Sequence, residues 1–281
     1  MRSAFADASV LLWLVSSLTA VLAGRAFVEY LRRLLHDGPV LGWRELLLGC
    51  LSLAAGLWAA MVLDINAQGL TFELGFHPLK TFGSLLAVAL VMVPVLAGYA
   101  LRPRWYTQLA AMVLMALAVL ILQVATIWSV GAEPGLFWRR DPLVFAALLL
   151  CIGLGMSSRM VSTARRGSKT DRRMRRILAA LVLGACVVAA QELVLSSSGL
   201  DRQVVSAHAR FLPDAAVTLV AGAVVPIALV MLIADQRTQQ RARASQRARR
   251  KLAGRPDAGE SMFSDSLLSP GLPDSRKDPA P

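Results

Sequence analysis

LSLAAGLWAAMVLDINA, residues 51–67, is a long apolar stretch that turns polar at Asp64 and Asn66. A helix needs about 20 mostly apolar residues to cross the hydrocarbon core of a bilayer, and this region supplies them. The chain offers such runs seven times, at residues 9–29, 45–65, 79–101, 107–130, 142–163, 177–196 and 214–234. We therefore predict an all-α, polytopic membrane protein with seven transmembrane helices.

Composition supports that class. Of the 281 residues, 56% are hydrophobic and 17% are charged, which is far more apolar than an ordinary soluble domain. The first apolar run follows Arg2, as a signal peptide would, but it is long and six more runs follow it. It is therefore interpreted as helix 1 of the bundle.

The net charge of +12 is distributed unevenly along the chain. Basic residues concentrate after helices 1, 3, 5 and 7, in residues 25–44, 102–104, 159–176 and 237–255. Cytoplasmic connections of membrane proteins carry an excess of Lys and Arg. The pattern predicts that the N-terminus lies outside and the C-terminus in the cytoplasm, and it does not indicate a nucleic-acid partner.

Two regions are predicted from this organisation. Residues 1–235 would form the seven-helix transmembrane domain, and residues 236–281 a basic juxtamembrane segment followed by a disordered tail rich in Pro, Ser, Asp and Gly. Basic side chains near the bilayer are attracted to anionic lipid headgroups. We expect such a lipid-facing patch to include Arg165, Arg166, Arg172, Arg173, Arg241, Arg243, Arg249 and Arg250, and the tail to offer a surface to a signalling partner.

Helices 2, 4 and 6 resemble one another when LSLAAGLWAAMVLDINA is placed in register with residues 112–130 and 178–198. In each, an apolar helix rises from the basic side and acquires a polar or soft residue before its outer end: Met61, Gln123 or Gln191. Membrane folds are often built by duplication. We therefore predict three helix-pair repeats and a closing seventh helix.

In this arrangement the chain resembles the MHYT-domain membrane sensors of bacteria, whose first repeat typically reads G-I-W-x-M-H-F-x-G-M-x-A. Gly56, Leu57 and Trp58 match its opening and Ala67 its end, and FHPLKTFGSLLAV at 76–88 is similar to the entry of the family's next helix. The resemblance implies a multi-pass sensor in the bacterial cytoplasmic (inner) membrane. Where that family has its three histidines, this chain has Met61, Gln123 and Gln191.

The resemblance also implies copper, which the family's His and Met residues are proposed to bind at the outer face. Imidazole and thioether groups are good copper ligands, whereas a glutamine amide is a poor one. We therefore predict that the copper ligands are lost here and that Met61 is a core residue. The loop histidines His77 and His208 could replace them, but solvated side chains are the simpler interpretation.

A polar cluster remains near the outer ends of these helices: Met61, Asp64, Gln123, Gln191 and Glu192. Ionisable residues within a membrane are costly and indicate function by default. Interhelical hydrogen bonding by the glutamines, and the position of Asp64 near the interface, offer a purely structural explanation. Of the two acids, Glu192 lies deeper along its helix and is the strongest single candidate.

Three functions are compatible with these features. The first is a non-enzymatic sensory or signalling module without a fused output domain, acting on a separate partner. The second is a small transporter or channel, and the third a structural or assembly protein of the membrane. The sequence carries no nucleophile, metalloprotease or phosphate-loop motif, so an enzyme is not predicted.

Overall fold

The computed structural model describes residues 2–37, 43–68, 75–101, 105–133, 138–163, 169–198, 205–206, 212–236, 238 and 245. The chain divides into two compact units, Met1–Ile233 and Ala234–Pro281. Most of the second unit lies outside the described residues, as does most of the predicted basic patch. Arg172 and Arg173 are the members of that patch whose side chains are described, and both are exposed.

Helices account for nearly all of the described residues. They are α1 (Arg2–Asp37), α2 (Trp43–Ala67), α3 (Pro78–Leu101), α4 (Trp105–Ser129), α5 (Arg140–Thr163), α6 (Lys169–Ser197) and α7, which begins with Asp214–Leu219. Seven helices are long and apolar enough to cross a membrane. The predicted all-α architecture with seven long apolar helices is therefore confirmed. Which membrane it occupies and which end faces the cytoplasm remain predictions.

Helix α7 contains a π-helical segment, Val220–Val224, and is helical again over residues 225–236. The backbone N–H of Val225 donates to the Val220 carbonyl, five residues earlier. Pro226 follows directly and has no N–H to continue the α-helical ladder. The π-turn absorbs this interruption, as such turns commonly do at proline in membrane helices.

Helix α2 lies at the centre of the bundle, and 67% of its most apolar stretch is buried. It packs against α1, α3, α4 and the first part of α7. Helix α1 also packs against α6, and α6 against α5, which completes the surroundings of α2. Because lipid tails are as apolar as leucine, close packing of helices must supply much of the association energy.

Glycines set the closest of these helix contacts. A Cβ added at Gly56 of α2 would lie 2.5 Å from the Cβ of Ala23 in α1, and one added at Gly184 of α6 would lie 2.5 Å from Val21. Both glycines therefore allow α1 to approach its two neighbours. The Gly56 that matches the MHYT pattern has a packing role of its own.

Four two-residue strands, which the sequence does not predict, tie the connections together at one end of the bundle. Strand β1 (Gly75–Phe76) pairs antiparallel with β4 (Leu212–Pro213), and β2 (Ala132–Glu133) pairs antiparallel with β3 (Val205–Ser206). The connections after α2, α4 and α6 therefore meet. We call this the strand end of the bundle.

Two equivalent backbone hydrogen bonds lie beside these strands. The N–H of His77, just before α3, donates to the carbonyl of Ser129, the last residue of α4, over 3.0 Å. The N–H of Arg139, just before α5, donates to Ser197, the last residue of α6, over 2.9 Å. Each bond joins the start of an odd-numbered helix to the end of the next even-numbered one.

The register assumed for the repeats corresponds to a common depth in the helices. Met61, Gln123 and Gln191 each precede the last residue of their helix by six positions. At a rise of about 1.5 Å per residue, each lies about 9 Å from the strand end of its helix. The threefold repeat itself remains a prediction.

Candidate functional site: an acidic cavity between three helices

The predicted polar cluster separates into two groups. Asp64 of α2 and Glu192 of α6 line one cavity of about 270 Å³, together with Ser9 and Trp13 of α1 and Gln68. Met61, Gln123 and Gln191 do not line it and are buried in the interior of the bundle. The cavity lies at the strand end, since Gln68 directly follows the last residue of α2.

Glu192 is exposed, and its carboxylate is held by a contact from another helix. The indole Nε1 of Trp13 donates to Glu192 Oε1 over 2.9 Å. Trp13 is 41% exposed and Glu192 is also exposed, so the bond lies on the outer surface of the bundle. The bond fixes one carboxylate oxygen and leaves the group at the mouth of the cavity.

Asp64 is the buried acid of the pair. Its side chain is 3% exposed, and Oδ2 has no hydrogen-bond partner among the described residues. Glu192 lines the same cavity. Position along the helix suggests that Glu192 is the more deeply placed acid, because it lies farther from the end of its helix. The structure shows the opposite order of burial, since Asp64 is buried and Glu192 is exposed. A buried carboxylate oxygen without a partner is costly and is typical of a functional site.

Two glutamines carry further unpaired atoms. Gln191 Nε2 reaches the Leu57 carbonyl of α2 over a long 3.4 Å, while its Oε1 has no partner in the described part of the chain. Neither amide atom of Gln123 has one, and its side chain is 1% exposed. Buried amides are normally hydrogen-bonded. The predicted interhelical role therefore describes Gln191 better than Gln123.

Helix α1 contributes residues that the sequence interpretation missed. Ser16 Oγ donates to the Ala60 carbonyl of α2 over 2.7 Å, one residue before Met61. Trp13 and Ser9 line the cavity, and Ser17 Oγ is buried without a partner among the residues described. The signal available was the interruption of an apolar run by polar residues in SVLLWLVSSLT, at 9–19.

A larger groove runs between α1 and α6 and shares Trp13 and Glu192 with the acidic cavity. Its volume is about 1020 Å³, and its lining is almost entirely apolar or small, including Val21, Leu181, Ala185 and Val188. The two cavities therefore form a continuous surface that is acidic at the strand end and apolar beyond it.

The opposite ends of the same two helices are joined by an ion cluster. Glu29 of α1, which is 7% exposed, lies 2.6 Å from Arg32 and 3.7 Å from Arg176 of α6. The sequence interpretation treated these arginines as cytoplasmic loop charges and did not single out Glu29. The pairing depends on which helices are neighbours, which a single sequence does not reveal.

The loss of the copper ligands remains a prediction. At the motif positions, Gln191 directs its amide nitrogen to a backbone carbonyl, and Met61 is fully buried. Within the described part of the chain, no three His, Cys, Asp or Glu side chains are grouped so that they could hold a metal ion. His77 is a helix-start residue whose Nδ1 accepts from the Lys80 N–H over 3.4 Å; His208 lies outside the described residues.

Comparisons with known proteins give no relative for this arrangement: no family model, no curated protein and no solved structure matches the chain. The resemblance to MHYT-domain sensors therefore remains a prediction.

Proposed function

We propose that the chain is a non-enzymatic membrane receptor that binds a ligand at the acidic cavity and transmits a displacement of α6 relative to α1 to the other end of the bundle. One observation carries this proposal. The same two helices are joined at the strand end by Trp13 and Glu192, and at the opposite end by Glu29 and Arg176.

The two contacts have matching spacing. Trp13 and Glu29 are 16 residues apart on α1, and Arg176 and Glu192 are 16 residues apart on α6. The helices are therefore antiparallel in this pair, and the contacts are separated by about 24 Å of helix. A straight helix moves as a unit, so a ligand that displaces Trp13 or Glu192 would also alter the geometry of the Glu29 cluster. Helix shifts of about 1–2 Å are a common form of such switching.

Several features support the predicted setting of this receptor. The basic residues concentrate on the connections opposite the strand end, which favours a cytoplasmic location for Glu29 and Arg176. The common depth of Met61, Gln123 and Gln191 favours an MHYT-like repeat without its metal ligands. The signal would pass to a separate partner, with the basic segment 237–255 and anionic lipid as the docking elements.

Spectroscopic distances test the coupling. In a variant whose Cys50, Cys151 and Cys186 are replaced by Ala, spin labels at Arg173 of α6 and Ala110 of α4 would report the position of α6 in lipid nanodiscs. We expect Glu192→Gln and Trp13→Phe each to shift or broaden the distance distribution, by about 1–2 Å. A label pair at Ala87 of α3 and Ala110 should be unaffected.

Asp141→Asn is the matched control, because this exposed acid at the start of α5 lies at the strand end but lines neither cavity. Identical Arg173–Ala110 distributions in wild type, Glu192→Gln and Trp13→Phe would refute the coupling. Cation flux into proteoliposomes that disappears in Asp64→Asn would favour the transporter instead.

A further inference from the structure

The acidic cavity and the α1/α6 groove together have the shape and polarity of an amphiphile. Asp64 and Glu192 lie at one end, and no Lys or Arg lines either cavity among the described residues. Asp64 Oδ2 is buried and unpartnered, and one oxygen of Glu192 is used by Trp13. This end is therefore suited to a cationic group that can donate hydrogen bonds to two carboxylates.

The apolar part has the length of one leaflet. From Glu192 the groove follows α6 back to Leu181, eleven residues, or about 16 Å of helix, and it also reaches Leu193 and Ser196 on the strand-end side. The hydrocarbon core of a bilayer is about 30 Å thick, so the groove covers about half of it. Ala185 and Ala189 line its α6 side, and Val21 of α1, which packs directly on Gly184, borders it.

We propose that the ligand of this receptor is a membrane lipid with a primary-amine headgroup, drawn from the leaflet at the strand end. Its ammonium group lies between Asp64 and Glu192, and one acyl chain lies along the α1/α6 groove. The assignment rests on the proposed receptor function and names the class of ligand for the same site. Its ammonium group donates hydrogen bonds to both carboxylates, its single positive charge offsets one of their two negative charges, and it competes with the Trp13 indole for Glu192.

Native mass spectrometry of the detergent-purified full chain tests this assignment. The expected ligand is dioleoyl phosphatidylethanolamine. Three compounds serve as comparisons: phosphatidylcholine has no N–H to donate, phosphatidylglycerol has no amine, and free ethanolamine has no acyl chain. We expect the ethanolamine lipid to be retained about tenfold more strongly than the other three. Equal retention of all three lipids would overturn the proposal, and so would a dimer that excludes lipid.

Variants separate the headgroup and chain contacts. Glu192→Gln and Asp64→Asn should each reduce the preference for the ethanolamine lipid, whereas Asp141→Asn, an exposed acid at the start of α5, should not. Ala189→Phe fills the groove and should weaken retention of every lipid, while Ala216→Phe on the exposed surface of α7 serves as its control. A preference that survives both acid substitutions would refute the headgroup assignment.

The outcome is distinguishable from failure of the receptor function. Unselective lipid retention together with a Glu192-dependent shift in the Arg173–Ala110 distance would overturn the lipid assignment and leave the receptor standing. Selective retention with unchanged distances would support the lipid assignment and overturn the receptor function, because the lipid would then be bound without coupling to the far end of α6.

Discussion

Glu29 of α1 and Asp64 of α2 are buried acids at opposite ends of the bundle, and their surroundings are opposite in kind. Glu29 is compensated by Arg32 and Arg176, whereas Asp64 is buried beside a second acid with Oδ2 unpaired within the described residues. A paired acid holds helices together, while an unpaired acid beside a cavity raises the free energy of the folded state unless a ligand completes it. The difference separates a structural end from a binding end, and substitutions can test it.

The largest effect is expected at the paired end. Glu29→Gln leaves Arg32 and Arg176 without their carboxylate, and loss of one partner of a mostly buried ion pair costs about 3 kcal/mol of folding free energy. Thermal unfolding in detergent, followed by circular dichroism, should show a clearly lower midpoint. Asp141→Asn, which changes an exposed acid, should alter the midpoint little. Equal midpoints for the two variants would contradict the structural role assigned to Glu29.

Gln123→Leu should have the next largest effect, with the opposite sign. Both amide atoms of Gln123 are buried without partners in the described structure, so an apolar side chain of similar size removes an uncompensated desolvation cost of about 2 kcal/mol. The unfolding midpoint should rise. Gln191→Leu is the comparison, because it also removes the contact with Leu57 and should gain less. A fall in the Gln123→Leu midpoint would mean that the amide has a partner, such as bound water.

Asp64→Asn should stabilise the protein modestly, by about 1 kcal/mol, because it removes a buried charge beside Glu192. The same unfolding measurement applies, made without added lipid. Destabilisation comparable to that of Glu29→Gln would contradict the distinction, since it would show that Asp64 is a structural acid.

Trp13→Phe should have the smallest effect on stability. The indole gives one hydrogen bond to an exposed carboxylate, and its loss should cost about 0.5 kcal/mol. Its consequence for the position of α6 should nevertheless be as large as that of Glu192→Gln. A variant that is unchanged in both stability and spin-label distance would remove the strand-end contact from the mechanism.

The helices follow from the sequence because long apolar runs leave few alternatives in a chain of this composition. The equal depth of Met61, Gln123 and Gln191 is also visible in the sequence, since their spacing matches that of the helix ends. The site is predicted less well. Asp64 and Glu192 can be recognised in the sequence as ionisable residues within membrane helices. Their shared cavity also depends on α1, and nothing in the sequence around Trp13 and Ser9 predicts that α1 packs against α2 and α6. Glu29 and Arg176 were missed for the same reason.

The backbone links at the strand end also bear on how the chain is made. His77 and Arg139 bond to helix ends that are synthesised later than they are. The two strand pairs need Leu212–Pro213 and Val205–Ser206, which emerge after α6. In the third connection Pro213 stands just before α7 and has no N–H to form the equivalent bond. The strand pairs are thus completed only after α6 has been synthesised, and a nascent chain that stops before residue 205 lacks both of them.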